Sequence, residues 1–195
     1  MAVPIDSPPT RPPRSSQLQA DCTRCCGLCC VAPAFDAEQG FGFDKPAHTA
    51  CVNLRTDFRC AIHHQLRSQG FPACSTFDCY GAGQRVTQQL YGGRDWLAQP
   101  ELAARMFEAY SRYRALHELM ALLEAAAAKA APPERLQIQK MQQTIDALCD
   151  SGAAAGGTVR VAELRRSVLS RLRALLSAGA ARPGSTANPQ GLSGS

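Results

Sequence analysis

The sequence offers little with which to enter or cross a membrane. No run approaches the roughly 18 apolar residues of a transmembrane helix, and the greasiest stretch, Ala115 to Ala128, is broken by His117, Glu118 and Glu124. Prolines occupy residues 1–20, where a secretory signal needs an apolar stretch of roughly 7–15 residues. Aromatic residues are scarce, at 6% with a single tryptophan, and much of the 45% hydrophobic content is alanine. Also absent are a Gly-x-Gly-x-x-Gly fingerprint, a phosphate-binding loop, a nucleophilic serine elbow and a His-Glu-x-x-His pair. These absences predict a cytoplasmic chain with no membrane partner, and they leave enzymatic activity an open question.

Cysteine is what the sequence has in abundance, and it is unevenly placed. Nine of ten lie between Cys22 and Cys79, five of them in Cys22-Thr23-Arg24-Cys25-Cys26-Gly27-Leu28-Cys29-Cys30, while the last 116 residues hold only Cys149. A reducing compartment keeps thiols free, so such crowding reads as metal binding or catalysis, with a disulfide framework as the alternative. Thiolates in close array are natural ligands for zinc and iron–sulfur clusters.

Charge says less. Residues 1–79 carry seven basic and seven acidic side chains, and residues 80–195 carry fourteen and nine, so the net +5 belongs to the C-terminal part. This excess is too mild to argue for nucleic acid. Arg160, Arg165, Arg166, Arg171 and Arg173 surround the polar side of one predicted helix with no interleaved aromatics, which reads as a solvated face.

The pattern predicts a mainly α chain: a small irregular cysteine-rich metal module, then an antiparallel helical bundle, with disordered termini. Residues 1–19 and 180–195 are rich in Pro, Ser, Gly and other polar residues and should be disordered. Residues 20–81 form the cysteine module, with too few large apolar side chains to define a core, and residues 82–179 form the bundle. Leu102, Met106, Tyr110, Tyr113, Leu116, Met120 and Leu123 recur at helical spacing after Pro100, up to Pro132-Pro133. A second helix is expected from about Glu134 to Cys149, with Ile138, Met141, Ile145 and Leu148 inward. A third is expected from near Thr158 to Gly179, with Val161, Leu164, Val168, Leu172 and Leu175 inward. Three such stripes on short loops pack as an antiparallel bundle. Cys149 falls on the second stripe and reads as a small buried hydrophobe.

Within the module, C-x-x-C places two thiolates on one ion because the backbone folds back over two residues. Two such pairs overlap, Cys22/Cys25 and Cys26/Cys29, with Cys30 adjacent, and Cys51, Cys60, Cys74 and Cys79 follow. Eight sulfurs would satisfy two tetrahedral zinc ions, two cubane-type clusters, or one site plus redox-active thiols, leaving Cys26 as the spare. Adjacent cysteines rarely reach one ion, so Cys25/Cys26 and Cys29/Cys30 can point to different centres. Cys60, His63 and His64 sit at helical i, i+3 and i+4, so a histidine could substitute as ligand, the alternative being a surface pair.

These residues carry a resemblance. C-x-x-C-x-x-x-C-C, Cys51-x-Asn53-Leu54, Cys60-x-Ile62, Cys74 and Cys79 resemble the bacterial cysteine-cluster family of the C-x-x-C-x-x-C-C, or YkgJ, type, described as zinc- or iron-chelating. The match covers about residues 20–80. With Gly92-Gly93-Arg94-Asp95-Trp96 following, the chain is similar to the variant found at the front of some pentapeptide-repeat proteins, although a helical region stands where the repeats would begin. The first cluster has one residue more than the family pattern, His63 stands where tyrosine is usual, and the Arg-Pro before the later cysteines is missing. Residue by residue, the resemblance implies Cys22, Cys25, Cys29, Cys30, Cys51, Cys60, Cys74 and Cys79 as ligands of zinc or an iron–sulfur centre. Three functions follow: a metal-binding protein, a redox or modifying enzyme using an iron–sulfur cluster, as in flagellin lysine methylases with a similar cysteine cluster, or a thiolate store or carrier of metal such as copper(I).

Overall fold

The computed structural model describes residues 15–157 and 159–180. The disorder expected of 1–14 and 181–195 lies outside these residues. The same expectation for 15–19 is corrected: Ser16–Leu18 form a 3-10 turn, and Leu18 is fully buried because it inserts its isobutyl group into the main core. Polar composition hid that one anchoring leucine.

The described chain is mainly helical, as the pattern predicts. Three short helices, α1 (Leu28–Val31), α2 (Pro72–Thr76) and α3 (Ala82–Arg85), precede three long ones, α4 (Ala103–Lys129), α5 (Pro132–Asp150) and α6 (Val161–Ala180). A π-helical turn, Val86–Leu90, extends α3, and a 3-10 turn, Pro100–Leu102, leads into α4. Strand pairing among the described residues is limited to isolated antiparallel bridges, Phe35 with Lys45 and Leu54 with Cys60.

α4 is the central post. Leu102, Met106, Tyr110, Tyr113, Leu116, Met120 and Leu123 are all buried, and so are Phe107, Ala109, His117 and Leu119. A helix buried that far round must be covered on more than one side. α5 and α6 cover one side, through Ile138, Met141, Ile145, Val168 and Leu172. The cysteine segment covers the other: Leu28, Val31, Ala32 and Cys26 belong to the same buried cluster. α5 begins at Pro132, two residues earlier than expected, since proline's fixed φ and missing N–H suit a first helical turn. Arg135 closes the end of α4, donating from Nε to the Ala127 carbonyl (3.1 Å) and from Nη2 to that of Ala130 (2.9 Å).

The cysteine segment has a small core of its own, which the expectation of too few large apolar side chains overlooked. Phe35 stacks on Phe41 at 4.7 Å and Phe43 meets Phe71 edge-on at 5.6 Å. Lys45 is buried beside them, its Nζ 4.5 Å from the Phe35 ring centroid.

Candidate metal centre

All ten cysteines are free thiols. Local backbone devices present eight of them. Asp21 caps the turn Cys22–Arg24, accepting from the Thr23 amide at 2.9 Å. Gly27, at φ 71°, then reverses the chain into α1, where a β-carbon would strike Leu54 at 2.8 Å. α1 carries Cys29 and Cys30 with their sulfurs 3.8 Å apart. The Cys51 amide donates to the Cys30 carbonyl at 3.0 Å, and the Leu54–Cys60 bridge brings the next thiol back to the same place. Cys74 rides on α2, started by Pro72. Cys79 precedes the sharp turn at Tyr80 and Gly81, and its carbonyl accepts from the Ala82 amide at 3.0 Å as α3 begins.

The electrostatics of these thiols gather them into two overlapping neighbourhoods. In the first, burial raises Cys22 and Cys25, the hydrogen bond to Cys30 and then burial raise Cys29, and each feels the charge of Cys79, with Cys22 and Cys29 also feeling Cys30 and Cys25 feeling Cys26. Cys29 also feels Cys25. In the second, burial raises Cys51, Cys60 and Cys74; Cys51 feels Cys30, Cys60 feels Cys30 and Cys51, and Cys74 feels all three. Cys30 acts on both groups, on Cys22 and Cys29 as well as on Cys51, Cys60 and Cys74, so Cys22, Cys25, Cys29, Cys79 and Cys30, Cys51, Cys60, Cys74 are adjoining groups that meet where Cys29 adjoins Cys30. Desolvation pushes Cys25 up to about 12 and Cys74 to about 11, so both are neutral thiols in the metal-free protein near pH 7.

The environments differ. Three of the first four stand against the bundle, Cys25, Cys29 and Cys79 packing on the main core while Cys22 is exposed, and a β-carbon on Gly83 would lie 2.6 Å from the Cys25 sulfur. That close approach explains a glycine inside α3. The second four lie farther out, with a cation beside them. Lys45 Nζ donates to the carbonyls of Pro33 (2.6 Å), Thr49 (2.7 Å) and Pro46 (3.1 Å), and its charge acts on Cys30 and Cys51. Cys30 is accordingly lowered, first by the hydrogen bond from Cys29 and then by Lys45, against the effect of burial.

The remaining candidates stand apart. Cys26 is buried between Thr87 Oγ1 (3.3 Å) and Met106 Sδ (3.5 Å). Cys149 is buried in the bundle, where desolvation raises it to about 11. His63 and His64 are exposed on a 3-10 turn rather than an α-helix, their rings 5.6 Å apart. Three contributors escaped the sequence reading. Trp96 donates from Nε1 to the Cys26 carbonyl at 2.8 Å, tying the Gly-Gly-Arg-Asp-Trp stretch to the first cluster. Lys45 and Tyr110 are the others, the first masked by its ordinary charge and the second by its place in an apolar stripe.

Among the described residues, no three His, Cys, Asp or Glu side chains stand ready-assembled to hold a metal ion. The fours are neighbourhoods, and ligation requires their sulfurs to turn inward from a backbone already gathered. The donor set fits soft or borderline metals, being all sulfur.

A protein of Bacillus subtilis (strain 168), described as "Uncharacterized protein YybG", is 39% identical to this chain over 152 residues, covering 77% of the chain and 54% of that protein. The chain thus spans about half the length of that relative. No family model matches the chain, and no solved structure matches it. Among the described residues, no helix is long and apolar enough to cross a membrane.

Proposed function

We propose that this is a metal-binding protein in which Cys22, Cys25, Cys29 and Cys79 form one four-thiolate centre and Cys30, Cys51, Cys60 and Cys74 a second. The carrying observation is that segments far apart in sequence bring these thiols together: the sulfurs of Cys29 and Cys30 stand 3.8 Å apart on α1, the Cys51 amide donates to the Cys30 carbonyl ahead of the Leu54–Cys60 bridge, and Cys25 lies against α3 where it follows Cys79. Four sulfurs saturate a tetrahedral zinc ion or an iron–sulfur cluster, and the leftover thiols, Cys26 and Cys149, already have packed environments.

The chain's own residues define how such centres would be held. α1 supplies one ligand to each through adjacent positions, so the Cys29–Cys30 peptide is their common strut. Metal binding must displace protons from thiols that burial holds protonated, which makes affinity rise with pH. Lys45 supplies positive charge where the second centre would become anionic. A bound zinc would supply cross-linking, and a cluster would add one-electron chemistry.

The test is elemental analysis and an absorption spectrum of full-length protein purified without oxygen. Zinc with a colourless solution, or iron and sulfide with a brown one, is expected. Protein free of any thiolate-bound metal, with all ten thiols titratable, would overturn the reading.

A further inference from the structure

Tyr110 is a buried phenol with an unmet donor. It sits on α4, 2% exposed, and among the described residues its hydroxyl has no hydrogen-bond partner. Leaving a buried hydroxyl unpaired costs about 1–3 kcal/mol, and phenylalanine would fill the same space without that cost. The contrast one turn along α4 is direct: Tyr113 donates to the Cys149 carbonyl at 2.7 Å.

Its surroundings are the first group of thiols. Gly83 stands between the two, its notional β-carbon 2.6 Å from the Cys25 sulfur and 3.9 Å from Tyr110 Cε2. Cys25, Cys29 and Cys79 all pack on the core cluster to which Tyr110 belongs. Burial raises the phenol well above its ordinary range, and Cys29, Cys79 and Cys25 follow in that order among its neighbours. A neutral thiol is a weak acceptor, whereas a metal-bound thiolate is a strong one.

We propose that Tyr110 donates its hydroxyl proton in a hydrogen bond to a metal-bound thiolate of the first centre. This rests on the metal reading above and adds a positioning residue from outside the cysteine segment. Tyr110 is then unpaired without metal and paired with it, so the bundle senses occupancy of the first centre. Outer hydrogen bonds of this kind orient ligands and tune affinity by about 10- to 100-fold.

The test is a cobalt(II) titration of the full-length chain, wild type against Tyr110→Phe, with Tyr113→Phe as control. Wild type should take two equivalents into thiolate ligation, read in the sulfur-to-cobalt charge-transfer bands. Tyr110→Phe should weaken one equivalent about 10- to 100-fold and shift its band to lower energy, since an unbonded thiolate gives up charge more easily. The same variant should raise the urea midpoint of the metal-free protein, by removing the orphan donor. Tyr113→Phe should lower that midpoint and leave cobalt binding unchanged. Tyr110→Phe with wild-type cobalt affinity and spectrum would overturn the assignment and spare the metal reading. A wild-type chain that takes no cobalt into thiolate ligation would overturn both.

Discussion

Single residues divide the ten thiols by what surrounds them. Cys26 has its amide on Thr87 Oγ1 at 3.2 Å, and its sulfur lies against Met106, so replacing it loses packing and no ligand. Cys149 is likewise enclosed by the bundle. Cys26→Ala and Cys149→Ala should each lower stability by about 1–2 kcal/mol in urea unfolding and leave the metal content of purified protein unchanged. Loss of a full equivalent with Cys26→Ala alone would move Cys26 into the first centre. Spacing singled out the cysteine crowd, because C-x-x-C geometry is local, whereas Cys26 became the odd member through the count of sulfurs and the family resemblance. Spacing could not say which four go together, because that depends on the Leu54–Cys60 bridge, the α2 turn and the reversal at Gly81, all products of tertiary packing.

Between elements, a polar network fastens α3 and the end of the cysteine segment to the long helices. Arg85 of α3 is 6% exposed and pairs with Asp146 and Asp150 of α5, at 2.6 Å each. His117 of α4 joins the network through Arg85. A carbonyl can only accept, so Nδ1 donates to the Tyr80 carbonyl (2.6 Å), and Nε2 keeps its lone pair facing Arg85 Nη1 (3.4 Å). Burial first, and then the guanidinium, hold His117 down at about 4, although the Tyr80 contact and Asp146 act the other way. The unfolded chain therefore binds a proton below about pH 6.5 that the folded chain refuses. Stability from the neutral ring is fully present above that value and is lost as pH falls toward about 4. Urea unfolding between pH 7 and 4 should show a decline of roughly 3 kcal/mol from this residue, and His117→Asn, which keeps a donor for Tyr80, should not. Identical pH profiles would show that His117 does not titrate as described. The three long helices were legible because their apolar positions recur at three and four. The network was not, since Arg85, His117 and Asp146 read as ordinary surface charges until α3 folds against α4 and α5.

Across the whole molecule, one buried cluster runs from Leu18 through Leu28 and α4 to Leu172, so the cysteine segment and the bundle share a core. Composition hid this continuity: the cysteine segment looks poor in large apolar residues, yet Leu28 is fully buried against the bundle. Metal at the proposed first centre should therefore be felt in the helices, and metal at the proposed second, beside Lys45 and the phenylalanines, should be felt less. The most direct test of two separate centres is native mass spectrometry of oxygen-free protein, comparing wild type with Cys25→Ser and Cys60→Ser. Wild type should carry two metal centres, and each variant should retain one, with Cys25→Ser keeping the centre that Cys60→Ser loses. A single centre abolished by either substitution, or a wild-type mass with no metal at all, would contradict the account.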